Sequence, residues 1–174
     1  MKHELSALIA AGMLLTVPQG SVLAATGDKA QINITINVTA RTCSFDNSTP
    51  MIQLEDVSTA KFRHSGTSMV SGKNVDIDIQ CGSGIENVKI VPTGLSAAGD
   101  ATAFANTGSA KNVGLRLMAY QGSAMLYPDG SAYVTVSPSD GVGSYRFKAG
   151  YVATGGPVRA GDFMAVVNLS FDYS

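Results

Sequence analysis

Apolar and polar side chains alternate along much of this chain, most regularly between residues 30 and 43, AQINITINVTARTC. Ile32, Ile34, Ile36 and Val38 fall on one side of an extended backbone there, and Asn33, Thr35, Asn37 and Thr39 on the other. Successive side chains of a strand face opposite ways, so the spacing predicts a strand with one apolar face. The same period returns downstream. Ile52 and Leu54 alternate with Met51, Gln53 and Glu55. In NVDIDIQC, residues 74–81, Val75, Ile77, Ile79 and Cys81 are predicted to face inward, and Asp76, Asp78 and Gln80 to face water. Val88 to Val91 reads as a short strand that Pro92 ends. Val113, Leu115, Leu117 and Ala119 mark another, and Tyr133 to Val136 a short one. Tyr145, Phe147, Ala149 and Tyr151 share one face of the next. The longest uninterrupted run is FMAVVNLSFDYS, with Phe163, Ala165, Val167, Leu169, Phe171 and Tyr173 on one face.

Turn-forming residues separate these runs. Asp46-Asn47-Ser48-Thr49-Pro50, Gly82-Ser83-Gly84, Tyr127-Pro128-Asp129-Gly130 and Gly155-Gly156-Pro157 are breaks of this kind. Residues 58–73 and 93–112 read as loops. No helical period is present beyond the N-terminal segment. Many short strands with turns between them predict an all-β sandwich. A length of 174 residues allows one domain with a tail.

The first residues belong to export rather than to the fold. Lys2 and His3 lead into an apolar run from Leu5 to Val17, and Val22-Leu23-Ala24 precedes a cleavage point that leaves Ala25 at the front. This is the pattern of a secretory signal peptide over residues 1–24. The run is shorter than the roughly 20 residues that span a bilayer. Cys43 and Cys81 therefore meet an oxidising compartment and are expected to pair. A metal site is excluded by ligand count: His64 is the single imidazole left after processing, and structural zinc takes four ligands. A net charge of −1 gives no nucleic-acid footprint. There is no glycine-rich phosphate loop, and His64 has no nucleophile-elbow serine near it in sequence. Neither an enzyme nor a cofactor is expected. Asp76 and Asp78 read as the solvated face of a strand. The sequons at Asn33, Asn37 and Asn168 read as by-products of alternation.

Several segments then coincide in order and spacing. An alternating strand precedes Cys43, and Cys81 closes a later strand. NTGSAKNVGLRL follows at mid-chain, with Asn112-Val113-Gly114 within it. The chain ends FKAGYVATGGPVRAGDFMAVVNLSFDYS, with Gly150-Tyr151, Gly161 and the penultimate Tyr173. Together these resemble the type 1 fimbrial (pilus) subunit family of the bacterial chaperone–usher pathway, over residues 25–174. The resemblance implies an incomplete immunoglobulin-like sandwich that is completed by donor-strand complementation. It implies a periplasmic chaperone, an outer-membrane usher and neighbouring pilus subunits as partners, and a place in a cell-surface fimbria that contributes to adhesion. Residues 25–39 would be the donor extension and 40–174 the pilin domain. Ile32, Ile34, Ile36 and Val38 would be the donor residues. Val167, Leu169, Phe171 and Tyr173 would border the chain's own groove and meet the chaperone, which would also hold the carboxylate of Ser174.

Burying four such side chains is worth roughly 6–12 kcal/mol before ordering costs. On composition alone a strand that completes its own domain is the expectation, and it is the resemblance that makes it a donor. Family donor strands often carry a glycine in the run, where Ile36 stands here. The donor strand argues against a tip adhesin, which in this family starts with a binding domain, and the chain is too short for two such domains; a minor or adaptor subunit is expected. The alternative from another class is a self-complete secreted carbohydrate-binding module, with Tyr120, Tyr127 and Tyr133 as stacking candidates.

Overall fold

A computed structural model describes residues 30–37, 43–45 and 51–174 of the chain. The predicted signal peptide, residues 25–29 and Val38 lie outside the described residues, as does the side chain of Ile36.

Alternation builds two sheets that close on each other. In chain order the strands are β1 (Ala30–Asn37), β2 (Cys43–Phe45), β3 (Met51–Leu54), β4 (Val70–Cys81), β5 (Val88–Thr93) and β6 (Ser96–Ala97). They continue with β7 (Asp100–Ala105), β8 (Val113–Ala119), β9 (Met125–Leu126), β10 (Val134–Val136), β11 (Val142–Ala153) and β12 (Phe163–Tyr173). The first sheet runs β10–β5–β12–β1–β3. The second runs β2–β4–β11–β8–β7–β6, with β9 alongside β8. The inner faces meet in one core. Phe104, Phe147, Phe171, Ile79, Ile90, Leu115 and Leu117 are among its fully buried side chains. The all-β sandwich is the architecture that the alternation predicts.

The details depart from the sequence reading in three places. The stretch 93–112 is not all loop: it carries β6 and β7, joined by Gly99 at φ 86°. A Cβ on Gly99 would lie 2.1 Å from the Thr154 carbonyl oxygen, so both backbone angle and space require glycine. Pro92 does not end β5. It pairs with Leu169 of β12, while β10 pairs with β5 only as far as Ile90. Proline's missing N–H costs a ladder bond only where a strand waits for it. Finally, β4 begins at Val70 rather than Asn74, and Thr59–Phe62 forms a 3₁₀ turn that buries Phe62. The Cys43–Cys81 disulfide joins β2 to β4 at paired positions.

Candidate functional site

The site begins with β12, whose inner face is apolar throughout. Ala165 and Val167 are fully buried, and Phe163, Leu169 and Phe171 nearly so. One flank of β12 is covered by β5, antiparallel from Asn168 opposite Thr93 to Tyr173 opposite Val88. The other flank faces β3 across a slot one strand wide. In the single chain β1 fills that slot. It runs parallel to β12 from Ala30 opposite Phe163 to Asn37 opposite Ser170, and antiparallel to β3 from Ala30 opposite Leu54 to Asn33 opposite Met51.

The register sets the apolar face of β1 against the core. Ile32 lies opposite Ala165 and Ile52, Ile34 opposite Val167, and Ile36 opposite Leu169. Ile32 is 0% and Ile34 2% exposed. Burial of these two side chains alone is worth roughly 3–6 kcal/mol. The small side chain of Ala165 leaves room for Ile32 beside it. Gln31, Asn33 and Thr35 are half-buried on the outer face.

At the end where β1 starts, the slot continues as a pocket of about 190 Å³ with both apolar and polar walls. Phe62, Val113, Tyr151, Val158 and Phe163 form its apolar walls, and Asp56, Thr59 and Arg159 its polar ones. Tyr151 and Phe163 meet edge to face with ring centroids 5.0 Å apart, and Phe62 faces Tyr151 at 6.3 Å. The Tyr151 hydroxyl donates to the Glu55 carbonyl at 3.2 Å. Burial, with Asp56 nearby, pushes the Tyr151 phenol up to about 12. Gly161 sits at φ 152°, where a Cβ would lie 2.6 Å from the Ala110 backbone nitrogen. Asn112 holds φ 58°, and its side-chain amide donates to the Pro157 carbonyl at 2.8 Å. Of the residues that carry the family resemblance, Val113, Tyr151 and Gly161 line this pocket. Phe62 and Val158, which line it too, were missed in the sequence. Each falls in a stretch without alternation, and only a lone apolar residue in a polar loop marked them.

At the opposite end the chain terminus is tied down. The Ser174 carbonyl oxygen accepts from the backbone N–H groups of Glu86 and Asn87 at 2.9 and 2.8 Å, and the Ser174 N–H donates to the Asn87 carbonyl at 3.0 Å. Tyr173 is half-buried, with its hydroxyl buried and unpartnered. Burial, followed by the charge of Asp172, raises its phenol above the usual value.

The remaining sequence candidates are scattered. His64 is exposed in the loop after the 3₁₀ turn, and Tyr127 is half-buried. Tyr133 is exposed, with the Lys89 ammonium 4.2 Å above its ring. Among the described residues no three His, Cys, Asp or Glu side chains are grouped to hold a metal ion, and no helix is long and apolar enough to cross a membrane.

Comparison with solved structures finds the same architecture in pilus proteins. The P pilus rod subunit PapA is 21% identical, matches 76% of this chain and 99% of its own, and superposes with a TM-score of 0.61. A subunit from a chaperone–usher pilus structure concerned with rod uncoiling is 20% identical, with coverage of 91% and 99% and a TM-score of 0.62. A Burkholderia pseudomallei antigen and type I fimbria protein is 22% identical, with coverage of 78% and 90% and a TM-score of 0.52. No curated protein matches by sequence. The family model described as "Fimbrial protein" matches residues 31–174. With a match that spans both sheets, the slot beside β12 and the rim of its pocket, the chain belongs to the fimbrial protein family.

Proposed function

We propose that this chain is a structural subunit of a chaperone–usher fimbria, and that it polymerises by giving β1 to the slot of a neighbouring pilus subunit. The observation that carries the reading is the slot itself. Without β1, the first sheet is reduced to β10–β5–β12, β3 has no strand to pair with, and the edge of β12 and the core beneath it lie open. An apolar strand edge of this kind invites another strand.

The single chain fills its slot under a constraint. Asn37 and Cys43 are six residue steps apart, a reach of at most about 22 Å. The Phe45 ring lies 4.2 Å from that of Phe171, so β2 stands at the C-terminal end of β12. Cys43, opposite Cys81, is farther still from Phe163. A reversed β1 would carry Asn37 to Phe163, roughly 26 Å along the slot and about 10 Å across to the other sheet. The tether is too short, so the chain's own strand enters only parallel to β12. A strand from a neighbouring subunit has no such tether. It can enter antiparallel, the slightly more stable pairing, and extend into the pocket walled by Tyr151 and Phe163. On this reading Ile32, Ile34, Ile36 and Val38 are the donor residues, and the self-filled chain is the form held before exchange.

A periplasmic chaperone that borders Val167, Leu169, Phe171 and Tyr173 would keep the slot usable. To grip the Ser174 carboxylate it would have to replace or share the hydrogen bonds from Glu86 and Asn87. An outer-membrane usher would then catalyse transfer, and the product would be a cell-surface fibre that contributes to adhesion. We assign the chain a minor or adaptor position in it.

Filling of the slot by β1 also suits a self-complete module, and exchange separates the two readings. The mature chain, residues 25–174, is incubated with excess labelled peptide 29–40. A fimbrial subunit takes up the peptide slowly and releases β1, seen as proteolytic cleavage within residues 25–39. A chain that never takes up peptide, even after unfolding and refolding in its presence, is a self-complete module.

A further inference from the structure

We propose that the outer face of the second sheet carries a shallow binding site for a neutral saccharide, built from Tyr120, Arg146, Asp76 and Asp78. The inference does not depend on strand exchange, because these residues lie on the sheet that β1 does not join.

Three adjacent strands present the site in register. Asp76 on β4 pairs with Arg146 on β11, and Asp78 pairs with Ser144. Just beyond β8, the Tyr120 N–H donates to the Arg146 carbonyl at 3.1 Å, which sets Tyr120 beside Arg146. Strands lie about 4.8 Å apart, so the row from Asp76 through Arg146 to Tyr120 spans roughly 10 Å, enough for a disaccharide. Gln121 and Tyr145 complete a trough of about 370 Å³.

The guanidinium is held before any ligand arrives. Arg146 Nε donates to Asp76 Oδ1 at 2.6 Å and Nη2 to Oδ2 at 3.0 Å. Its Cζ lies 5.4 Å from the Tyr120 ring centroid. Arginine carries five N–H donors, and this pairing uses two. The rest point away from Asp76 in the fixed plane of the group, and a ligand that bonds them pays little further side-chain entropy.

The ligand class follows from what is offered. Arg146 donates, Asp76 and Asp78 accept, and Ser144 and Gln121 do both. Hydroxyl groups that donate and accept in turn match that mixture. Tyr120 is 50% exposed, which leaves aromatic surface on which the C–H face of a sugar ring can pack. Two carboxylates against one guanidinium leave the trough net negative, which disfavours acidic sugars. A single cation is also a poor seat for a nucleic-acid backbone.

The test is an amide NMR titration of the folded mature chain with maltose, cellobiose, lactose and mannobiose, and with sialyllactose as the acidic control. A neutral disaccharide is expected to shift the amides of Tyr120, Gln121 and Arg146 with a millimolar Kd, and sialyllactose to bind more weakly. Tyr120→Ala should lower the affinity about tenfold while Tyr120→Phe keeps it. Asp78→Asn, on the exposed face of β4, should weaken binding severalfold with an unchanged melting temperature, and it serves as the test if Tyr120→Ala fails to fold. Shifts confined to other residues, no response to any of the four neutral sugars, or unchanged affinity in the folded variants would overturn the proposal. So would a lysine-rich peptide that moves the same amides when none of the sugars does.

Discussion

β1 and β4 carry nearly the same pattern, yet the chain holds them in different ways. Each sets isoleucines two apart on its inner face, and in each those isoleucines reach the core: Ile32 and Ile34 in β1, Ile77 and Ile79 in β4. β4 is antiparallel to both neighbours, β2 and β11, and the Cys43–Cys81 disulfide crosses to β2. Its register with β11 extends from Gln80 to Val70. β1 is parallel to β12, meets β3 over four positions, and is joined to the rest of the fold at one end through residues 38–42. An apolar face thus reports that a strand will be buried. Whether the strand can leave, and whose core it fills, depends on its covalent anchoring and on the direction in which it is paired.

The widest separation of the two comes from removal of residues 25–39. The loss takes away the burial of Ile32 and Ile34, the whole β1 ladder and the cover of Val167 and Leu169. The truncated chain is expected to lose most or all of its folding stability, since native domains hold only about 5–15 kcal/mol. Peptide 29–40 should restore a cooperative melt. Failure of the peptide to restore it would show that β1 cannot act from outside its own chain.

Loss of the disulfide should act on the other region. Cys43→Ala with Cys81→Ala is expected to cost about 3–4 kcal/mol by denaturant unfolding, from the loop of 38 residues that the bridge closes. Cys43 lies on the far side of the tether from β1. Peptide affinity for the truncated chain should therefore hardly change, provided that it is measured where the variant is folded. A large drop in that affinity would mean that the slot and the second sheet form one mechanical unit.

A matched pair of core truncations sharpens the contrast further. Ile34→Ala and Ile79→Ala each remove a buried side chain, and each should cost about 2–5 kcal/mol in the mature chain. Only Ile34→Ala should weaken the binding of a peptide that carries the same change to a truncated chain. Ile79→Ala, placed in the acceptor, should leave binding of the unaltered peptide near its normal value once the protein is folded.

How much of this was legible in the sequence follows from the same physics. β8 and β12 were read with little error, because in each an unbroken series of apolar residues at every second position reaches the core. β6 and β7 were hidden: alanine and threonine in DATAFA carry little hydrophobic contrast, and Ala103 and Phe104 are buried in succession. Pro92 misled, because its effect depends on how far the neighbouring strand β10 extends, which is not a local property. The alternation in β1 located its apolar face. It carried no information on the parallel pairing with β12, which arises from the length of the tether and the position of β2. Of the slot, Val167 and Leu169 were readable as inward residues of β12, whereas the pocket at its mouth gathers Phe62, Val113, Tyr151 and Val158 from four separate stretches.

That pocket yields the smallest of these effects, and one with a definite sign. The Tyr151 phenol is raised to about 12 by burial, and by the charge of Asp56, from an ordinary value near 10. The folded chain therefore holds the phenolic proton more tightly than the unfolded chain does. This contribution is fully present below pH 10 and is lost as pH rises through about 12. Over that window it changes stability by at most about 1.4 kcal/mol per pH unit. Tyr145 and Tyr173 are shifted in the same direction, so the slope of the mature chain is a sum. The difference between the mature chain and Tyr151→Phe isolates the one phenol. The variant should lose the hydrogen bond to Glu55 at neutral pH, a cost of about 1 kcal/mol, and should show a shallower decline in alkali. Parallel stability curves for the two proteins between pH 9.5 and 11.5 would place Tyr151 in water rather than in the wall of the pocket. The pocket would then be a poor landing site for an incoming apolar strand, while the slot above β12 would be untouched by that result.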